Sequence, residues 1–214
     1  MKEEEQKGNS KVYKIITVGN STVGKTAIIK RFISNKFDEN MLTSLGMNVS
    51  PKKVKVKDGE EVTLKIIDTA GQERYKSLGK NYYKNADGVL FVFALNNSES
   101  FEDISKWIEI FEESNNNPKN IIKYLIGNKN DLEEEIEVKE ENINKFLENN
   151  NDFTYKSISA KREDNCVNDL FQEIAERMYE RECQEGNDIR RNSVKVLSYN
   201  KGPRKKCVFI KCLS

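Results

Sequence analysis

The chain contains no histidine. That absence removes Ser-His-Asp triads, Cys-His dyads, histidine-ligated zinc and imidazole acid–base chemistry, so any catalysis rests on other groups. No apolar run reaches the length of about 18 residues that a transmembrane helix needs. The opening residues, MKEEEQKGNSK, are acidic and polar and do not read as a secretory signal. An intracellular chain is the expectation. Cysteine is scarce: Cys166, Cys183, Cys207 and Cys212 include no Cys-x-x-Cys pair, which argues against a disulfide framework or a zinc knuckle and predicts reduced thiols.

What is present is charge. With 214 residues, a mean hydropathy of −0.75 and 33% charged side chains, the composition fits one small globular domain with a short appendage. The formal net charge of +1 hides an asymmetry, because residues 189–214 carry eight basic side chains and no acid, leaving 28 basic against 35 acidic residues before them. Body and tail therefore differ in kind. The expected organisation is a polar extension at 1–10, a folded domain at 11–182 and a flexible basic tail at 183–214. Asparagine-rich stretches such as SNNNPKN and LENNND read as polar loops.

KVYKIITVGN is a β-branched run that stops at Gly19, and KTAIIKRFISNKF then sets Ala27, Ile28, Arg31 and Phe32 at helical spacing. VKVKDGEEVTLKII reads as two strands joined at Asp58-Gly59. GVLFVFAL and IIKYLIGN are near-continuous apolar runs, the pattern of strands covered on both faces of a parallel sheet, and TYKSIS adds a short strand. Helical patterns lie between them, one placing Phe101, Ile104, Trp107, Ile108 and Phe111 on a single face and another placing Val167, Leu170, Phe171, Ile174 and Met178 together. Strand–helix alternation predicts an α/β three-layer sandwich with a mostly parallel, six-stranded sheet. Trp107 reads as core packing.

GNSTVGKT at 19–26 matches G-x-x-x-x-G-K-[ST] between a strand and a helix. Gly19 and Gly24 let the backbone curl around Ser21, Thr22 and Val23, so that amides face phosphate oxygens. Lys25 then reaches the β- and γ-phosphates, and the Thr26 hydroxyl is a magnesium ligand. GNKND at 127–131 brings Asn128, Lys129 and Asp131 to the carboxyl end of a buried strand. An aspartate there accepts from the N1 hydrogen and 2-amino group of guanine, a pair that adenine does not offer, while the Lys129 stem covers the base. DTAGQE at 68–73 puts Asp68 at a strand end as a second magnesium candidate. Gly71 offers an amide to a γ-phosphate, and Gln72 orients a water.

Together with SAK at 159–161 and NYYKNADG, these motifs resemble the Ras superfamily of small GTPases, with the Rab family most similar, over residues 11–182. The resemblance implies a P-loop G domain that binds GTP or GDP with Mg2+. It implies nucleotide contacts from Ser159, Ala160 and Lys161, with the Ala160 amide on guanine O6, stacking by Phe37 near the base, and catalysis by Lys25 and Gln72. It further implies slow turnover, an exchange factor, a GTPase-activating protein and effectors that meet residues 38–48 and 69–80, and a part in vesicle trafficking. Arg74 is too close to Gln72 to serve as an arginine finger. The implied location is peripheral, on the cytoplasmic face of an intracellular membrane. A monomer without a nucleic-acid partner is expected.

Several positions depart from the Rab pattern. Ser44 stands where a magnesium-binding threonine is usual, with Thr43 as the alternative ligand, and Ile67 replaces a tryptophan of the effector-facing surface. Pro51 and one extra residue before Asp58 suggest a bulged or edge strand. In the tail, Cys212 is followed by two residues where a C-a-a-X motif has three, so lipidation of Cys212, with Cys207 as a second candidate, competes with a bare basic tail attracted to anionic membrane. A P-loop kinase or ATPase, a non-hydrolysing GTP-binding module and a Ras-like signalling GTPase are the rival readings.

Overall fold

A computed structural model describes residues 11–38, 48–69, 83–115 and 121–199, with Asp58 and residues 186–199 as backbone only. The chain falls into two units, Met1–Met178 and Tyr179–Ser214. Within the first, apolar β-branched segments become strands: β1 (Lys11–Val18), β2 (Asn48–Lys55), β3 (Glu61–Asp68), β4 (Gly88–Ala94), β5 (Ile122–Asn128) and β6 (Phe153–Ser157). They form one six-stranded sheet in the order β2-β3-β1-β4-β5-β6, parallel except for β2 against β3. Every residue of β4 is buried, as expected of a strand covered on both faces.

The helices are α1 (Lys25–Ser34), α2 (Ser98–Glu102), α3 (Ile104–Ser114), α4 (Glu140–Asn149) and α5 (Cys166–Tyr199). The single helix expected from Phe101 to Phe111 is interrupted at Asp103, whose N–H is shared between the carbonyls of Glu99 and Phe101. Its predicted face survives the break: Ile104, Trp107 and Phe111 are buried, and Phe101 and Ile108 pack against the same cluster. Val167, Leu170, Phe171, Ile174 and Met178 are likewise all buried. Aromatic rings fill one layer of the core. Phe111 meets Phe91 edge-on at 5.9 Å and Tyr83 at 5.7 Å, and Phe146 meets Phe153 at 5.4 Å.

Of the two readings of Pro51, the edge strand is the one observed: β2 ends the sheet order, and its register against β3 runs without a bulge from Asn48↔Asp68 to Lys55↔Glu61. The five residues between the strands absorb the extra length in a short 3-10 turn, Lys57–Gly59, with Gly59 at φ +76°. The boundary expected at 182 falls within α5, whose backbone is helical to Tyr199, and residues 200–214 of the expected tail lie outside the described residues. No proline precedes Pro203 in this region, so the backbone lacks the residue that most strongly stops a helix.

Phe111 lies at 0% exposure between α3 and β4. Truncating it to alanine removes its ring contacts and leaves a cavity, which costs about 3–5 kcal/mol. Urea unfolding of Phe111→Ala is expected to show that loss as a lower midpoint with an unchanged slope.

Candidate functional site

In an open α/β sheet, ligands settle outside the carboxyl ends of the parallel strands, near the point where the strand order reverses. Here β1 lies between β3 and β4, and the carboxyl ends of β3 and β5, the loops after β1, β5 and β6 and the first turn of α1 hold every described candidate except Phe37. The glycine loop connects β1 to α1. Gly19 has φ +143°, and a Cβ there would lie 2.0 Å from the Val92 carbonyl oxygen of β4. Gly24 has φ +100°, and a Cβ there would lie 2.1 Å from Asn128 Nδ2. These two glycines are therefore required by space as well as by torsion. Thr22 also adopts a positive φ, +63°, which is strained for a β-branched side chain.

The first turn of α1 has no side-chain cap and no acidic residue, so its amide end is open to an anion. Lys25 is 4% exposed, and its ammonium folds back over the loop to donate to the carbonyls of Gly19 (2.8 Å) and Asn20 (2.7 Å). Thr26 Oγ1 donates to Asp68 Oδ2 at 2.6 Å, bringing a hydroxyl and a buried carboxylate together beside the loop. Thr69 and Thr17 hold the ends of β1 and β3 in this register, Thr69 Oγ1 donating to the Thr17 carbonyl and Thr17 Oγ1 to that of Ile67.

At the end of β5, the Asn128 side chain spans three segments. Its Nδ2 donates to the Val23 carbonyl at 2.8 Å, and its Oδ1 accepts from the Ala160 N–H at 3.2 Å. The Ala160 amide assigned by resemblance to guanine is thus engaged with Asn128 in this structure. Lys129 turns the chain at φ +67°, and Asp131 Oδ1 accepts from Ser159 Oγ at 2.6 Å. Ser159, fully buried, also accepts from the amides of Lys161 and Arg162. Nearby, burial and Asp164 push the Cys166 thiol up, which makes it a neutral thiol rather than a nucleophile. Phe37 is half-buried beyond the end of α1. Ser21, Thr22 and Val23 lie in the phosphate loop as expected, with Val23 buried and Thr22 exposed.

Thr43, Ser44, Gly71, Gln72, Arg74, Cys207 and Cys212 lie outside the described residues, as does most of 38–48 and 69–80.

A family model for the Ras family matches residues 14–180. The chain belongs to the Ras family of small GTPases. Curated relatives of this GTPase carry Rab names. Rat Ras-related protein Rab-9A is 33% identical over 191 residues, covering 88% of this chain and 94% of that protein. Human Ras-related protein Rab-30 is 36% identical over 167 residues, covering 78% and 80%. The Ypt/Rab-type GTPase ypt7 of Schizosaccharomyces pombe is 37% identical over 165 residues, covering 76% and 80%. Within the Ras superfamily the GTPase is most like the Rab group.

One residue of the site was not singled out from the sequence. Arg31, 3% exposed, donates from Nε to the Ala160 carbonyl and from Nη2 to the Lys161 carbonyl, each at 2.9 Å, while Nη1 reaches the Asn35 carbonyl. Its signal was visible as an arginine on the apolar face of α1. Buried charge on such a face implies fixed acceptors. Replacing Arg31 with methionine preserves length and leaves those carbonyls unmet, so a loss of about 3 kcal/mol in unfolding free energy is expected. Denaturant titration of the GDP-loaded protein checks it, and an unchanged midpoint would refute the assignment.

Proposed function

We propose that this Rab-like GTPase is a molecular switch that binds GTP and GDP with Mg2+ and slowly hydrolyses GTP in the service of vesicle trafficking. The observation that carries the reading is the Asn128 clip, which joins the phosphate loop to the Ser159-Ala160-Lys161 turn at one edge of the sheet. A loop built for phosphate and a loop built for a base are of use together only to a nucleotide. Asp131, already oriented by Ser159, supplies the carboxylate that selects guanine.

The residues present suit magnesium. A small hard cation takes oxygen ligands, often one or two from protein with the rest from phosphate and water. Thr26 and Asp68 are such a pair, and Ser44, or Thr43, is the further ligand proposed from switch I. Bound there, Mg2+ would neutralise charge that develops on the phosphates.

In the reaction, a water oxygen bonds to the γ-phosphorus as the bond from that phosphorus to the β–γ bridging oxygen breaks. GDP departs with the electron pair, and inorganic phosphate is the second product. Lys25 and the loop amides stabilise the spreading charge, while Gln72 orients the water. Arg74 follows Gln72 too closely in sequence to act as an arginine finger, so an activating protein would supply further stabilisation in trans. The γ-phosphate holds residues 38–48 and 69–80 in the form that exchange factors and effectors distinguish. Residues 11–182 act as the switch, and 183–214 bring it to an anionic membrane through basic side chains, with lipid on Cys212 or Cys207. No helix among the described residues is long and apolar enough to cross a membrane, in keeping with peripheral attachment.

Gln72→Leu is expected to hold the protein in its GTP form. In a single-turnover assay with an activating protein, a wild-type hydrolysis rate for this variant would remove Gln72 from the mechanism. Asp131→Asn is expected to shift preference from GTP toward XTP, since an amide donates where the carboxylate accepted; competition binding reads the shift, and undiminished GTP preference would reject the guanine contact.

A further inference from the structure

Two carbonyls receive the Lys25 ammonium, and they are supported differently. Gly19 rests against the backbone of β4. Asn20 is instead held through its side chain: Oδ1 accepts from Trp107 Nε1 at 2.6 Å, and Nδ2 donates to Asp103 Oδ2 at 2.8 Å. An indole N–H only donates and a carboxylate only accepts, so the amide has one workable orientation.

Both partners come from the junction of α2 and α3. Asp103 occupies the interruption between those helices, and its Oδ1 takes the Lys106 ammonium at 2.5 Å. That hydrogen bond, with the one from Asn20, holds the Asp103 carboxyl below its ordinary range, so it stays ionised at neutral pH. Trp107 is 7% exposed and anchored in the aromatic core, with its own amide bonded to the Asp103 carbonyl at 3.1 Å. The support behind Asn20 is therefore rigid.

We infer that Asn20 is a positioning residue for Lys25, set by Trp107 and Asp103, and that this support governs how long the nucleotide's phosphates are retained. The inference rests on the nucleotide reading of the phosphate loop. It separates two supports: the Asn20 carbonyl that receives Lys25 is braced through α3, whereas the Ala160 and Lys161 turn is braced through Arg31 and Asn128. A fault at Asn20 should then speed release without altering the choice of base.

The test is a swap in the full-length chain. Asn20→Asp keeps the acceptor for Trp107 but sets a carboxylate against Asp103, and release of a fluorescent GDP analogue is expected to accelerate about tenfold. The ratio of GDP to IDP affinity is expected to stay at its wild-type value. Adding Asp103→Asn returns a donor to the pair and is expected to bring release back to within about twofold of wild type. Trp107→Phe, which keeps the ring and removes the N–H, is a second variant with the same expected acceleration and serves alone if Asn20→Asp does not fold. Release at the wild-type rate in the folded variants, failure of the swap to rescue, or a changed GDP-to-IDP ratio would overturn the inference. If Lys25→Ala holds GDP as the wild type does, the nucleotide reading itself fails; loss of GDP by Lys25→Ala beside unaltered Asn20→Asp would sink only the inference.

Discussion

The site depends on one buried amide. Asn128 is 2% exposed and uses both ends of its side chain, one on the Val23 carbonyl and one on the Ala160 N–H, so three loops distant in sequence share a single anchor. An amide is suited to this because it donates and accepts from adjacent atoms, which an acid or a hydroxyl does not do in the same geometry. The glycine at position 24 follows from the same contact, as Asn128 Nδ2 occupies the space a Cβ would need. Because the bonds are buried, breaking one leaves a polar group unmet and unsettles the other.

The sheet explains why such a clip is available. Parallel strands deliver their carboxyl ends to one side of the sheet, so the segments that follow β1, β3, β5 and β6 start close together. Buttresses then act from behind the loops rather than within them. Arg31 reaches from α1 to the Ala160 and Lys161 carbonyls, and Thr69 and Thr17 bind the ends of β1 and β3 to each other.

Much of this was legible in the residues themselves. The buried runs of β4 and β5, the glycine loop and the Asn128-Lys129-Asn130-Asp131 turn all announce themselves through local pattern, since each is a contiguous segment with a fixed spacing. Side-chain bonds between distant segments do not. Nothing near Asn20 in sequence points to Trp107, and the tryptophan's place on an apolar face masks its polar edge. The interruption at Asp103 was hidden for a related reason, because the apolar spacing continues across it. At Ala160 the resemblance indicated the right turn but not that its amide would be engaged by Asn128.

The open flank of the sheet has a further effect. Among the described residues β2 has β3 on one side and no strand on the other, and its outward residues Val49, Pro51, Lys53 and Lys55 are exposed. Such an edge invites a second strand, yet Pro51 lacks the N–H that a regular ladder would use, and two copies meeting there would bring their lysines together. Lys53 is shielded only in part by Glu61 at 2.6 Å. The proline that marks this strand as an edge thus also guards it against fibrillar self-association.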